Sequence, residues 1–480
     1  MPSIANVRWV VVLALILDLL AFTIPLPLFP RIIEWYTQRE LGDENGLLSR
    51  ILTSIRTFQT MLHGSALNSR RQWDIVLLGG FLGSVFSVLQ FLVSPWIGSL
   101  SDAYGRKPVL LVSMIGNILS GIVWMKSTSF MSFLLARAIG GFSEGNVQLS
   151  IAILSDVTEP AKRGRALALV GLAFAVCFST GPVLGAYFAQ RPFPLVFGPF
   201  KHADLNIYAA PAALTIVLLT LETVFLVFFL PETRGYVVPT SGTAAQVKSA
   251  TTKEVEVDED TGFVHVPAAA DPSGTVQQRL SLLNILRWVH FAFLSVFSGV
   301  EFTLTFLTFD LFDWNNSQNG KMLAFIGVLS ALLQGGYVRR SIHKIGEGVM
   351  ARRGVQSCIA SFAVLAALPH AGNFGPRLVY AAAVCLAYTS ATVVNSLTAL
   401  ASLQCDEPSA GSSGPDPRLL KGRALGEFRS AGQLGRALGP LLACAAYWTV
   451  GPSFTYASSA LAMIVLSSAM RGIAIKPKTE

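Results

Sequence analysis

Asp18, Glu144, Glu222, Glu301, Arg137 and Arg436 stand well inside long apolar runs of this chain. A charge at the centre of a bilayer costs at least about 2.5 to 3.5 kcal/mol on insertion scales, so each of them needs a partner or a task. Burial in a low-dielectric cavity disfavours the charged form of a carboxylate, the property that a proton carrier needs. Asp18, near the middle of the first run, and Glu301, at comparable depth in the seventh, are candidates for handling protons or substrate, with a structural ion pair as the plainer reading. Arg436, midway along the eleventh run in GQLGRALGP, keeps its proton and offers a fork to carboxylates or phosphates. It either receives an anionic substrate or pairs with Glu301 or Asp18. Arg137, nearer the outer end of the fourth run, is a further candidate for proton handling. Glu144 and Glu222 are further candidates for substrate contact, although Glu222 also suits a place reaching toward the membrane edge.

These residues need a scaffold, and composition indicates which kind. Of 480 residues, 52% are hydrophobic and 13% charged, about half the charge usual in a soluble domain. A hydrocarbon core about 30 Å thick takes about 20 apolar residues per helical crossing, and twelve such runs are present. They fall at 7–30, 74–98, 108–126, 130–154, 164–189, 207–230, 286–311, 320–340, 354–370, 376–400, 424–448 and 452–472. The expected fold is all-α: twelve transmembrane helices in two six-helix pseudo-symmetric halves, 1–230 and 286–480. Residues 231–285, with the polar stretch GTAAQVKSATTKEVEVDEDTG, are too poor in apolar residues to order a core and read as a flexible linker. The first run extends past Asp18 to Pro30 without a small-residue cleavage site, too long for a signal peptide.

Charge sets the expected orientation. Lys and Arg gather at 106–107, 162–165, 339–344, 352–353 and 418–423, whereas the short loops on the other side hold only Lys126, Arg191, Lys201, Lys321 and Arg377. By the positive-inside rule the linker and both termini are cytoplasmic; plasma membrane and organelle are not distinguished. The basic loop 31–73 opposes this count, but a loop of that length weighs less. In it Leu48, Ile51, Leu52, Ile55, Phe58, Gln59 and Leu62 form a helical stripe, fitting an amphipathic helix on the outer membrane surface or a lid packed over the mouth. Asn315, in the sequon Asn315-Asn316-Ser317 after the seventh run, is a glycosylation candidate on the outer side.

The net charge of +8 resides in these short loops and not on one helical face, which argues against nucleic acid. The five cysteines are scattered, with no CxxC pair and no His at ligand spacing, so neither metal nor disulfide framework is expected. The sequence lacks GxSxG, HExxH and Walker A patterns. No enzyme chemistry and no cofactor are expected, and energy must come from a gradient.

The chain also repeats itself. Gly164-Arg165-Ala166-Leu167 and Gly422-Arg423-Ala424-Leu425 open the fifth and eleventh runs, and Gly181-Pro182 and Gly439-Pro440 follow at matched distances. Two matched halves joined by a linker are what alternating-access transporters use, with substrate near the midplane. Gly allows close helix approach and Pro removes a backbone donor, so Gly181, Pro182 and Gly185, with Gly435, Gly439 and Pro440, are expected to bend the two helices toward the opposite half.

The stretch Gly98-Ser99-Leu100-Ser101-Asp102-Ala103-Tyr104-Gly105-Arg106-Lys107-Pro108 resembles the GxLaDrxGrkxxl loop motif of the major facilitator superfamily. The resemblance implies that Gly98, Asp102, Gly105, Arg106 and Lys107 form a cytoplasmic gate, with Asp102 meeting the start of span eleven near 423–426. Ala103 stands where the family usually has Arg, and Arg106 or Lys107 would have to substitute. Arg137-Ala138-Ile139-Gly140-Gly141 resembles the family's RxxqG motif. Gly181-Pro182-Val183-Leu184-Gly185 resembles the gxxxGPxxGG motif of proton-coupled antiporters, with Cys177 and Ala186 departing from it, and Leu230-Pro231-Glu232-Thr233 closes span six as in relatives. Segments such as LDLLAFTIPLPLFP are similar to the tetracycline-transporter-like and drug:proton antiporter branch. That branch implies proton-coupled transport of small amphiphilic solutes: organic anions, or efflux of tetracycline-type drugs. It also implies that Asp18 matches a membrane-embedded Asp. A transporter fold kept for a receptor or partner-stabilising role is the alternative. The expected partners are a small solute, protons and the lipid bilayer, with the protein a monomer.

Overall fold

A computed structural model describes residues 4–40, 46–63, 71–190, 205–235, 275–314, 316–405 and 416–472. Asn315 and most of the linker lie outside the described residues. The first half comprises α1 (Ile4–Thr23), α2 (Phe29–Arg39), α3 (Leu47–His63), α4 (Arg71–Tyr104), α5 (Arg106–Lys126), α6 (Phe130–Ser143), α7 (Asn146–Asp156), α8 (Pro160–Ala189) and α9 (Ala209–Phe229). The second comprises α10 (Val276–Phe312), α11 (Asn316–Leu332), α12 (Arg339–Ile345), α13 (Glu347–Ala367), α14 (Gly375–Ser402), α15 (Lys421–Val450) and α16 (Pro452–Ala469). Among the described residues, eight helical stretches are long and apolar enough to cross a membrane without help. Span four is divided between α6 and α7, and the spans built on α13 and α15 carry charges such as Arg352, Arg353 and Glu427.

Three helix boundaries differ from the hydropathy runs, each for a local reason. Span four breaks at Glu144 and Gly145, where the chain leaves helical geometry. The sequence reading took 130–154 as one span. A Cβ at Gly145 would stand 2.8 Å from Ser113 Oγ and 2.9 Å from Ile97, so the break is wedged between α4 and α5. Non-helical backbone at membrane depth is tolerated when buried in protein. The motif stretch 98–108 is hardly a loop: α4 continues through Asp102 to Tyr104, and Gly105 alone turns the chain, at φ 103°. Only glycine adopts that φ without strain. Finally, α10 begins at Val276, ahead of the expected 286, because Thr275 and Gln278 form a reciprocal capping box. Span eight is continuous through a π-helical segment, Leu333–Val338, into α12.

α2 and α3 sit at the end of the bundle away from Asp102. Leu48 of α3 is buried with Ile32, Ile33 and Tyr36 of α2 and with Leu78, Leu82 and Phe130, and Ile51 and Leu52 pack on the same cluster. This half of the stripe packs on protein; the side chains of Ile55, Phe58, Gln59 and Leu62 lie outside the described residues. Tyr36 shares hydrogen bonds with Ser127 and Asn206, and burial pushes its hydroxyl up to about 12.

The glycines of the Gly-Pro segments face their own half, although Ala437 beside them accepts a hydrogen bond from Ser84 of the other. A Cβ on Gly181 or Gly185 would strike Thr23 or the Ile24 carbonyl at the end of α1, and one on Gly435 or Gly439 would strike α10 backbone at Phe291 and Ser295. Each small-residue face therefore seats α8 or α15 on the first helix of its own half. Closeness of backbones is what glycine supplies in these positions.

Candidate functional site

The carboxylates of the first half gather around the break in span four. Asn146, the first residue of α7, donates through Nδ2 to Asp18 Oδ1 at 2.6 Å, and Asn117 of α5 donates to Glu144 Oε2 at 3.4 Å. Glu222 of α9 is 2% exposed, and Asp18 and Glu144 are its charged neighbours. Arg137 lies over the Phe86 ring at 4.4 Å, a cation–π contact, and its charge acts on Glu144.

The other half contributes a cation that sequence reasoning missed. Arg429 of α15 acts on both Glu144 and Asp18. It precedes Ser430, whose hydroxyl donates to the Phe91 carbonyl of α4 at 2.6 Å. Arg436, expected at this level, stands seven residues further along α15, about 10 Å at 1.5 Å per residue. The carboxylate it acts on is Glu301 of α10. Glu301 and Arg436 are both exposed. His290 of α10 stacks on Phe428 with centroids 4.1 Å apart. Thus the structure divides the predicted residues into two groups. Asp18, Glu144, Glu222 and Arg137 meet in the first half, Glu301 and Arg436 in the second, and Arg429 reaches from the second group's helix to the first.

A further cluster joins the halves at the Asp102 end. Asp102 accepts the backbone N–H of Gly422 at 2.9 Å and of Arg423 at 2.7 Å, taking up otherwise orphan donors at the start of α15. Arg106 pairs with Asp102 at 2.7 Å and with Asp156 at 3.0 Å, and Lys421 reaches Asp156 at 3.2 Å. Of the two basic residues that follow Gly105, Arg106 is the one that pairs with Asp102. Gly98 and Gly422 lie in backbone contact, where a Cβ on either would collide with the other's carbonyl. Lys107 donates to the Val227 carbonyl at 2.8 Å. Glu232, in the segment that closes span six, accepts from the N–H groups of Arg106 and Lys107 at 2.8 and 3.1 Å and so caps α5. On the pseudo-symmetric side, Gly164 faces Glu347 at the start of α13, with 2.8 Å between an added Cβ and the carboxylate.

Two six-helix halves, intramembrane charges and a hydrogen-bonded contact between the halves define a membrane transporter. A model of the Major Facilitator Superfamily matches residues 11–440, and the chain belongs to that superfamily. It is 35% identical over 460 residues to Major facilitator superfamily domain-containing protein 10 of Homo sapiens, covering 94% of this chain and 89% of that protein. It is 25% identical over 294 residues to the class B tetracycline resistance protein of Escherichia coli, 61% of this chain and 64% of the other. Among solved structures, the human organic anion transporter MFSD10 (TETRAN) aligns with a TM-score of 0.76 at 30% identity, over 98% of this chain and 100% of that one. The proton:xylose symporter XylE aligns with a TM-score of 0.68 at 13% identity over 98% and 97%, a likeness of fold alone.

Proposed function

We propose that this transporter is a secondary carrier of small amphiphilic organic anions, coupled to protons by alternating access. The observation that carries the reading is that Arg429, on a helix of the second half, lies within electrostatic reach of Asp18 and Glu144 of the first. Protonation of a carboxylate in that cluster weakens an attraction between the halves, which is how a proton would bias their relative arrangement. Arg436 and Glu301, accessible on α15 and α10, supply a guanidinium for an anion and a carboxylate that competes with it. The similarity to a human organic anion transporter supports the substrate class. In this reading the Asp102 contact is a cytoplasmic gate, closed here, with both termini on the same side.

Efflux of tetracycline-type drugs is the second reading, favoured by the similarity to the class B tetracycline resistance protein. Vesicle transport driven by a pH gradient tests both, with an organic anion and tetracycline as solutes. Asp18→Asn should abolish gradient-driven flux, and Arg436→Ala should abolish flux of the anion. Unchanged pH-driven flux in both variants refutes the proposal.

A further inference from the structure

Inside the first half lies a cavity of about 70 Å³. Its walls are formed by α1, α4, α5, α6 and α9 with Glu144 and Pro25, and none of its lining residues comes from the second half. At one extreme it is bounded by Trp124, two residues from the end of α5, and by Phe133, in the first turn of α6. Both lie at the end of the bundle away from Asp102. At the other extreme it is bounded by Asp18 and Glu144, at mid-depth. The space therefore runs from near one membrane face to the carboxylate cluster.

Its chemistry is that of a water passage. A site needs about 10 to 15 Å³ of such volume per water and two or more polar partners, so there is room for several. Trp124 Nε1 and Asp18 Oδ2 are buried polar atoms without a protein partner, and both residues line the space, along with Asn117, Ser120 and Thr215. Buried polar groups of this kind are satisfied by ordered water. The charged groups that face Asp18 are Glu144 at the span-four break and Arg429 on α15, with Glu222 of α9 nearby. Arg137, also on the cavity wall, is faced by Glu144.

We propose that this cavity is a proton route internal to the first half, delivering protons to Asp18 and Glu144 from the end opposite Asp102 without passing between the halves. This rests on the proton-coupled reading above. A proton passes along hydrogen-bonded water and ends on a carboxylate oxygen; no other bond is made or broken. The solute, in contrast, moves between the halves beside Glu301 and Arg436, so the two transported species use separate paths.

Proton uptake by the purified full-length protein after a rapid acid jump, followed with a pH indicator in solution, tests this without any solute. The wild type should take up protons that Asp18→Asn does not. Ala136→Leu, which fills the cavity, should leave the number of protons unchanged and slow their uptake at least about tenfold, because the added side chain occupies the space of the waters. Thr215→Val keeps the volume and removes a lining hydroxyl, and should slow uptake about threefold by interrupting the hydrogen-bonded path; it serves if Ala136→Leu does not fold. Uptake at the wild-type rate in the folded variants overturns the internal route. Equal proton counts in the wild type and Asp18→Asn overturn the proton-coupled reading itself.

Discussion

Asp102 on α4 holds the first backbone N–H groups of α15 at Gly422, through a 2.9 Å hydrogen bond that crosses from one half of the molecule to the other. It is a contact between a side chain of one half and the backbone of the other. Arg106 does not replace this bond but steadies it, holding Asp102 and Asp156 together.

Asp102→Asn should loosen this end of the molecule. An amide accepts through one oxygen and turns an N–H toward a donor, and loss of a charge-assisted hydrogen bond costs about 1.5 to 3 kcal/mol. That shifts a two-state equilibrium on the order of 10- to 100-fold. Spin labels on the exposed Ser99 and Lys344 should show a longer separation in the variant. A distance distribution identical to wild type contradicts the assignment.

Gly98→Val and Gly439→Val should fail in different ways. Gly98 touches Gly422 across the halves, whereas Gly439 touches α10 within one half. The first should populate conformers separated at the Asp102 end while the halves stay folded. The second should lower thermal stability, since overpacking typically costs about 1 to 3 kcal/mol. Thermal unfolding and label distances measured on both variants should show opposite patterns, and matching patterns would count against the assignment.

Glu232→Ala removes the carboxylate that caps α5. A lost cap costs about 0.5 to 2 kcal/mol, so melting should fall by a few degrees with solute affinity unaltered. A variant as stable as wild type shows that water replaces the cap.

Arg429→Ala should uncouple transport from the pH gradient. Solute exchange at equal pH should persist, while gradient-driven flux should fall about 5- to 150-fold, the usual range for a lost coupling. Equal losses in both assays would mean that Arg429 holds solute instead.

Much of this scaffold was legible in the sequence because membrane depth restricts the backbone to helices. Apolar run length identified most spans, and the resemblance of the stretch with Gly98, Asp102, Gly105 and Arg106 to the superfamily's loop motif implied a contact. Partners distant along the chain did not show. Asp156, Lys421 and Glu232 are ordinary loop charges until folding brings them to Arg106. Arg429 lies within the run 424–448, and only the seating of α15 on α4 brings it within electrostatic reach of Glu144. One signal was present and underused: Ser143-Glu144-Gly145-Asn146 places a helix breaker inside a span. The Gly-Pro segments misled for another reason, since a small residue reveals a close neighbour without naming which one.

The break at Glu144 gives α7 an unusual position. Its first residue, Asn146, grips Asp18, and its last, Asp156, grips Arg106 and Lys421. Between them runs one uninterrupted helix of 11 residues, about 16 Å at 1.5 Å per residue. α7 is thus a short rigid strut with a carboxylate at mid-membrane on one end and the contact between the halves on the other. The hydrogen bond at Asp18 and the ion pairs at the seam are therefore the two ends of a single helix.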